Sequence, residues 1–175
     1  MQIPDQNDWP IAREIYEERD RGAAVIAAGF LDAKLTAAVR GRLRQDDKDA
    51  LKRMFKPSGA LGGFANKAQL GYLLQLYSKE TLADFLLIAD IRNRFAHTAD
   101  SINFGTVYVR EQCEKLTLFR RIWSGFPDIE FAPYPLNAVS ARKEYLECAF
   151  TAANFLHSQA KHIDQGKPGL TYPPF

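Results

Sequence analysis

Four polar side chains in the middle of the chain have types and spacing that could support acid–base chemistry. Asp90, Asn93 and His97 recur at intervals of three and four residues, so a helix would place them on one face. Arg92 would lie about 100° around that helix and could reach the same pocket with its long side chain. His97 could accept a proton near neutral pH, Arg92 could stabilise a phosphorane, and Asn93 could orient a phosphate or the imidazole. The set could therefore support acid–base chemistry at a phosphate group, with Asp90 as a supporting residue.

The same residues also have a structural interpretation. A histidine in the last turn of a helix is stabilised by unpaired carbonyl groups and by the helix dipole. Asp90 and Arg94 have the i, i+4 spacing of an ordinary ion pair on a helix surface. Arg92 and Asn93 could fasten the loop that follows. We favour this structural or interface role, and the catalytic role is the alternative.

The other residues that could carry chemistry do not form a recognisable site. Cys113 and Cys148 are far apart and match no metal-ligand pattern. His157 and His162 are five residues apart, whereas two zinc-binding imidazoles on one helix face need a spacing of four. The loop Ser58–Gly63 could expose N–H groups to an anion, but it lacks the lysine of a phosphate-binding loop, so we interpret it as a tight connection between helices. We expect neither a metal nor a cofactor.

Two surface features could bind a macromolecule. The basic residues between Arg40 and Arg53 are interrupted by aspartates, which favours a solvated surface over contact with nucleic acid. The whole chain has 23 basic and 21 acidic residues, too balanced for a protein that coats nucleic acid. Trp123, Phe126, Phe131 and Tyr134 flank a proline-rich loop, where they could cover the core or form an interaction surface, and core cover is favoured.

Helical periodicity predicts the elements that position these residues. The predicted helices span about 9–18, 20–39, 46–55, 64–77, 79–98, 106–123 and 140–166, and no strand alternation of any length appears. The helix at 79–98 is apolar on most of its surface, so we expect it to be largely buried near the centre. The sequence therefore predicts an all-α fold: a single-domain helical bundle of about six to seven helices over residues 1–165, followed by a tail at 166–175.

Composition places the chain among ordinary globular proteins. Hydrophobic residues make up 46% and charged residues 25% of the 175 residues, which is enough apolar material for one core. The longest apolar runs fall short of the roughly 18 residues that a membrane-spanning helix needs, and no secretory signal opens the sequence. We expect a cytoplasmic protein with reduced cysteines and no membrane segment.

Three segments resemble the mannitol operon repressor (MltR) family of bacterial proteins. They read DRGAAVIAAGFLD at 20–32, SGALGGFANKAQLGYLLQLYS at 58–78 and LIADIRNRFAH at 87–97, and the likeness spans roughly 20–118. The resemblance implies a helical regulator of transcription that lacks a recognisable DNA-reading helix and acts through protein partners. This sequence agrees, because it contains no helix-turn-helix spacing with a basic recognition face, so direct sequence-specific DNA binding is not expected.

A shorter motif resembles the signature of the HEPN superfamily. The motif is the arginine, polar residue and later histidine of Arg92, Asn93 and His97. In nuclease members of that superfamily two protomers form a metal-independent RNA-cleaving site, so this resemblance implies a homodimer that could bind RNA. Our first hypothesis is a non-catalytic, MltR-like homodimeric regulator, and the alternative is a HEPN-like endoribonuclease or toxin-type RNase.

Overall fold

The structure, a computed structural model, describes residues 8–164 of the chain. These residues form eight α-helices and no strand. The all-α class predicted from helical periodicity is therefore confirmed, while the predicted tail at 166–175 lies outside the described residues. The helices are α1 (Trp9–Glu17), α2 (Asp20–Gly41), α3 (Lys48–Phe55), α4 (Phe64–Leu73), α5 (Lys79–His97), α6 (Val107–Cys113), α7 (Leu118–Trp123) and α8 (Ala138–Asp164).

Side-chain caps explain why several helices begin where they do. Asp47 accepts a hydrogen bond from the Ala50 N–H at the start of α3, and Ser78 accepts one from the Thr81 N–H at the start of α5. The sequence predicts Ser78 as a cap and either Asp46 or Asp47 as the start of the shorter helix. The single helix expected over 106–123 is instead divided into α6 and α7, because the Thr117 N–H donates to the Asp84 carboxylate rather than to a helical carbonyl.

The core lies between α2, α5 and α8, with the remaining helices packed around them. The long helices α2 and α8 pack against each other, and α5 contacts α2, α4, α6, α7 and α8. The buried face of α5 carries two polar residues as well as apolar ones, namely Thr81, Asp84, Phe85, Ile88, Ile91 and Phe95. Leu82, Leu86 and Leu87 are only half-buried. The expected burial of α5 therefore holds for one face, and its last two turns leave the other face in solvent.

A row of aromatic side chains anchors the end of α5. The Phe95 ring lies 4.9 Å from the Phe104 ring, which in turn lies 5.5 Å from the Tyr145 ring of α8. The buried Tyr145 hydroxyl donates to the Ala24 carbonyl of α2 at 2.9 Å. These contacts join α5, the loop after it, α8 and α2. They therefore fix the position of the end of α5, which carries the exposed residues near His97.

Arg142 joins the beginning of α8 to the corner between α1 and α2. Its guanidinium pairs with the Asp20 carboxylate at 2.8 Å. The same guanidinium donates to the carbonyls of Glu18 at 2.8 Å, Tyr16 at 3.2 Å and Ile15 at 3.3 Å. These are carbonyls that the end of α1 leaves without helical partners. One cation from the last helix therefore caps the first.

Helix α2 is long and apolar enough, by length and composition alone, to cross a membrane. The apolar composition of α2 is also what a core helix requires. Eight of its residues, five of them alanines, are buried against the neighbouring helices. Its sides carry Asp32, which pairs with Lys67, and Lys34, which pairs with Asp8. Its apolar character is thus accounted for by the core.

An ion pair between Arg120 of α7 and Glu144 of α8 holds the loop at 124–137. Both carboxylate oxygens of Glu144 accept hydrogen bonds from the guanidinium, at 3.1 and 2.9 Å. The guanidinium also donates to the Ala132 carbonyl and lies over the rings of Phe131 and Tyr134. The loop is therefore attached to α7 and α8 through a single arginine.

The buried Glu144 carboxyl should make stability depend on pH. Burial raises its pKa above the ordinary 4.5, although the ion pair with Arg120 lowers it in part. A carboxyl whose pKa is raised on folding stabilises the fold while protonated, and that contribution is lost as pH rises through the folded-state value. We expect Glu144→Gln, which stays neutral, to gain in stability relative to the wild type as pH rises from 4.5 towards 7.

Urea unfolding at several pH values measures this difference in free energy. Val139→Ala changes no titratable group and lies at an exposed position, so it should follow the wild-type pH profile. A constant difference between Glu144→Gln and the wild type across this range would contradict the expectation.

Candidate functional site

The last two turns of α5 present the residues singled out from the sequence to solvent. Arg92, Asn93 and His97 are all exposed, while Ile91 and Phe95 in the same two turns are buried in the core. This alternation follows from the helical period, which brings residues four apart to one face. The three polar side chains are therefore reachable by a ligand or a partner, as an interface role or a catalytic role requires.

Arg92 and Asn93 lie together at one cavity. The Arg92 guanidinium donates to the Asn93 side-chain oxygen at 2.9 Å. Both residues line a cavity of about 400 Å³, which we call the α5 cavity, between α2, α5 and the start of α4. Asp32 of α2 contributes a carboxylate to it, and Lys67, whose side chain is buried, pairs with that carboxylate at 2.6 Å. The charge of Asp32 is thus balanced from within the protein, which leaves Arg92 as a cation at the cavity.

The glycine loop before α4 does not have the form of a phosphate-binding loop. The N–H groups of Gly59 and Gly62 donate to the carbonyls of Lys56 and Gly59, and the Leu61 N–H donates to the Met54 carbonyl. A Cβ atom at Gly59 would lie 2.3 Å from the Arg53 carbonyl oxygen, so the backbone approaches itself too closely for any side chain there. These donors are occupied, which supports the interpretation of the loop as a tight connection.

Asp90 and Arg94 meet through Tyr108 rather than directly. The Tyr108 hydroxyl donates to the Asp90 carboxylate at 2.7 Å, and the Arg94 guanidinium lies 5.2 Å from the centre of the Tyr108 ring. The expected ion pair between Asp90 and Arg94 is not among the ion pairs of the described residues. Sequence reasoning missed Tyr108, because its position on α6 beside α5 depends on tertiary packing. The hydrogen bond to Asp90 raises the Tyr108 pKa.

The structure does not gather the whole predicted set into one cavity within a single chain. His97 is not among the residues that line the α5 cavity. Asp90, which is held by Tyr108, does not line it either. Arg92 and Asn93 are therefore brought together at the cavity, and His97 and Asp90 lie outside its lining. Their catalytic role remains a prediction.

The cysteines and histidines elsewhere offer no further reactive centre among the described residues. Cys113 and Cys148 are both buried free thiols, and burial raises the pKa of each, so neither is ionised at neutral pH. Residues 8–164 contain no group of three or more histidine, cysteine, aspartate or glutamate side chains that could hold a metal ion. The side chain of His162 is not among those that the structure describes.

The aromatic residues around the proline-rich loop divide between the two roles considered for them. Phe131 is half-buried against Phe119, with ring centres 5.4 Å apart, and therefore covers the core. Phe126 and Tyr134 keep 54% and 50% of their surface exposed. Core cover thus describes only part of this group, and exposed aromatic surface remains beside the loop.

Comparison with known proteins identifies a shared fold. No protein-family model matches the chain, and no curated protein matches it either. A solved structure does match: the X-ray structure of the MtlR–HPr complex from Escherichia coli, with a TM-score of 0.69 over 87% of this chain and 99% of that chain. The two sequences are 14% identical. The MltR-like fold expected from the three sequence segments is therefore confirmed.

Proposed function

We propose that this chain is a non-catalytic regulatory protein that acts by binding another protein. The observation that carries the proposal is the fold shared with E. coli MtlR along nearly the whole of that chain, since the solved structure of MtlR is a complex with the protein HPr. The sequence also lacks a basic recognition helix, which favours control of transcription through a protein partner over direct reading of DNA. We place this activity in the bacterial cytoplasm.

The surface formed by the end of α5 and the start of α6 is well suited to such a partner. It exposes Arg92 and Arg94 together with Val107 and Tyr108, of which Val107 is 57% and Tyr108 39% exposed. Arginine and tyrosine are among the residues most enriched where binding energy concentrates in protein interfaces. Tyr108 is already held by Asp90 and Arg94, so it loses little freedom when a partner covers it. This surface, which we call the α5–α6 face, would therefore be the binding site.

Calorimetric titration of the purified protein with purified E. coli HPr tests this proposal. We expect measurable binding, weakened about tenfold or more by Tyr108→Ala, because loss of an interface anchor typically costs at least about 1.4 kcal/mol. Arg13→Ala is the matched control, since that side chain on α1 is 80% exposed and lies on another surface. Absence of binding contradicts the proposed function. Binding that Tyr108→Ala leaves unchanged contradicts the assignment of the α5–α6 face as the binding site.

The same preparation addresses the HEPN-like endoribonuclease alternative. We expect it to leave labelled single-stranded RNA intact, because Arg92 and Asn93 lie at one cavity and His97 lies outside its lining. The alternative requires a homodimer that brings a second imidazole to the site. RNA cleavage by a species of dimeric mass in light scattering, abolished by Arg92→Ala and His97→Ala, would overturn the non-catalytic proposal.

A further inference from the structure

A second cavity, of about 690 Å³, lies between α7, the loop at 124–137 and the middle of α8. We call it the aromatic cavity, because the rings of Phe119, Trp123, Phe126 and Phe150 line it. Its volume falls within the range of about 300–1,000 Å³ typical of small-molecule sites, which combine apolar walls with a few polar groups. It shares no lining residue with the α5 cavity and lies away from the α5–α6 face.

The walls of the aromatic cavity are held in place by the protein itself. Phe119 and Phe150 are buried, with 7% and 3% of their surface exposed. The Trp123 indole N–H donates to the Thr151 hydroxyl at 3.3 Å, and the Trp123 ring packs against the Phe126 ring at 5.0 Å. A ligand would therefore meet rings that are already positioned, which reduces the entropy lost on binding.

The charged groups of the cavity are predominantly negative. Asp128, Glu130 and Glu147 contribute three carboxylates, and Lys143 is the one cation in the lining. Glu147 accepts a hydrogen bond from the Tyr16 hydroxyl at 3.1 Å, which fixes its position. Asp128 and Glu130 form no ion pair with other residues in 8–164. The cavity thus has an excess of negative charge beside its aromatic lining, of which Phe126 is the exposed ring.

We propose that the aromatic cavity binds a small organic cation, such as a quaternary ammonium compound. The negative face of an aromatic ring attracts a cation, and Trp is the best of the rings for this contact. The two carboxylates without ion pairs supply the opposing charge, while the apolar walls bury the alkyl groups of the ligand. An anion would be repelled by the same carboxylates. The cavity would make the protein responsive to a small molecule as well as to a protein partner.

The proposal is tested with choline and its neutral carbon isostere, 3,3-dimethylbutan-1-ol, as probes. The two have almost the same shape and differ in charge, so their affinities separate cation recognition from apolar burial. Titration followed by ligand-detected NMR should show choline binding at least about fivefold more tightly than the alcohol. Phe126→Leu, which keeps an apolar side chain at an exposed position, should remove most of this preference.

Three charge variants complete the experiment. Glu130→Gln should weaken choline binding several-fold, and Lys143→Met, which removes the cation from the lining, should strengthen it. Glu111→Gln is the matched control, because this exposed carboxylate on α6 does not line the cavity and should leave the affinity unchanged. The proposal is overturned if choline does not bind, if the alcohol binds equally well, or if Phe126→Leu and Glu130→Gln behave like the wild type in protein with an unchanged circular dichroism spectrum.

Discussion

Asp84→Ala should lower the free energy of unfolding by about 3 kcal/mol, because it removes the buried carboxylate of an ion pair together with the hydrogen bonds that this carboxylate accepts. The Asp84 carboxylate has 2% of its side-chain surface exposed. It accepts hydrogen bonds from the Thr117 N–H at 2.7 Å, the Thr117 hydroxyl at 3.0 Å and the Arg121 guanidinium at 3.1 Å. Its loss would leave a backbone donor and a cation without their partner at the start of α7.

Urea denaturation and amide hydrogen exchange together measure this effect. Asp84→Asn keeps the shape but replaces one acceptor oxygen with a donor, so we expect roughly half the loss seen for alanine. The Thr117 amide should exchange much faster in both variants, since the hydrogen bond that it donates to the Asp84 carboxylate at the break between α6 and α7 is weakened or lost. Glu17→Gln is the control, because Glu17 is a 65% exposed carboxylate in a surface ion pair worth at most about 1 kcal/mol. A loss below about 1 kcal/mol for Asp84→Ala would show that the pair does not hold α7.

Phe95→Ala should destabilise the protein by a similar amount, about 3–5 kcal/mol, through the cavity it leaves. Phe95 is fully buried and contacts Phe104, which contacts Tyr145 in turn. The wall of this cavity would include the end of α5, so the exposed turn that carries Arg92 and His97 should also become less ordered. Thermal and urea unfolding report the first effect, and hydrogen exchange of the α5 amides reports the second.

Two further variants decide whether the aromatic row is responsible. Phe95→Leu fills most of the space but loses the ring contact, so it should cost clearly less than alanine. Leu73→Ala removes a comparable apolar side chain that is 73% exposed, and it should change stability by no more than about 0.5 kcal/mol. If Phe95→Ala costs no more than Leu73→Ala, the end of α5 does not depend on this row.

Local signals in the sequence account for most of the helices. The periodicity of apolar residues predicts α2, α5 and α8. Ser78 is the expected cap of α5, and of the two aspartates that could start α3, Asp47 is the one that caps it. The break between α6 and α7 was missed, because the side chain that causes it belongs to Asp84, which is 33 residues away. The residues next to a buried carboxylate in the sequence do not indicate which distant group will donate a hydrogen bond to it.

The candidate site was predictable only in part for the same reason. The helical period places Asn93 and His97 on one face of α5, and the structure shows that Arg92, Asn93 and His97 are all exposed. Which of them share a cavity depends on where α2 and the start of α4 pack, and the role of Tyr108 depends on where α6 crosses α5. Spacing along one helix therefore identifies the surface, whereas its neighbours determine what that surface can bind.

The guanidinium of Arg142 has a consequence for the order in which the molecule forms during synthesis. Arg142 caps α1 and pairs with Asp20, which lies 122 residues earlier in the chain. While the ribosome is still adding α7 and the loop after it, the first corner of the bundle lacks this cation and its carbonyls must rely on water. Contacts of such large sequence separation close late. The N-terminal helices would thus emerge first but be completed last, when translation reaches α8.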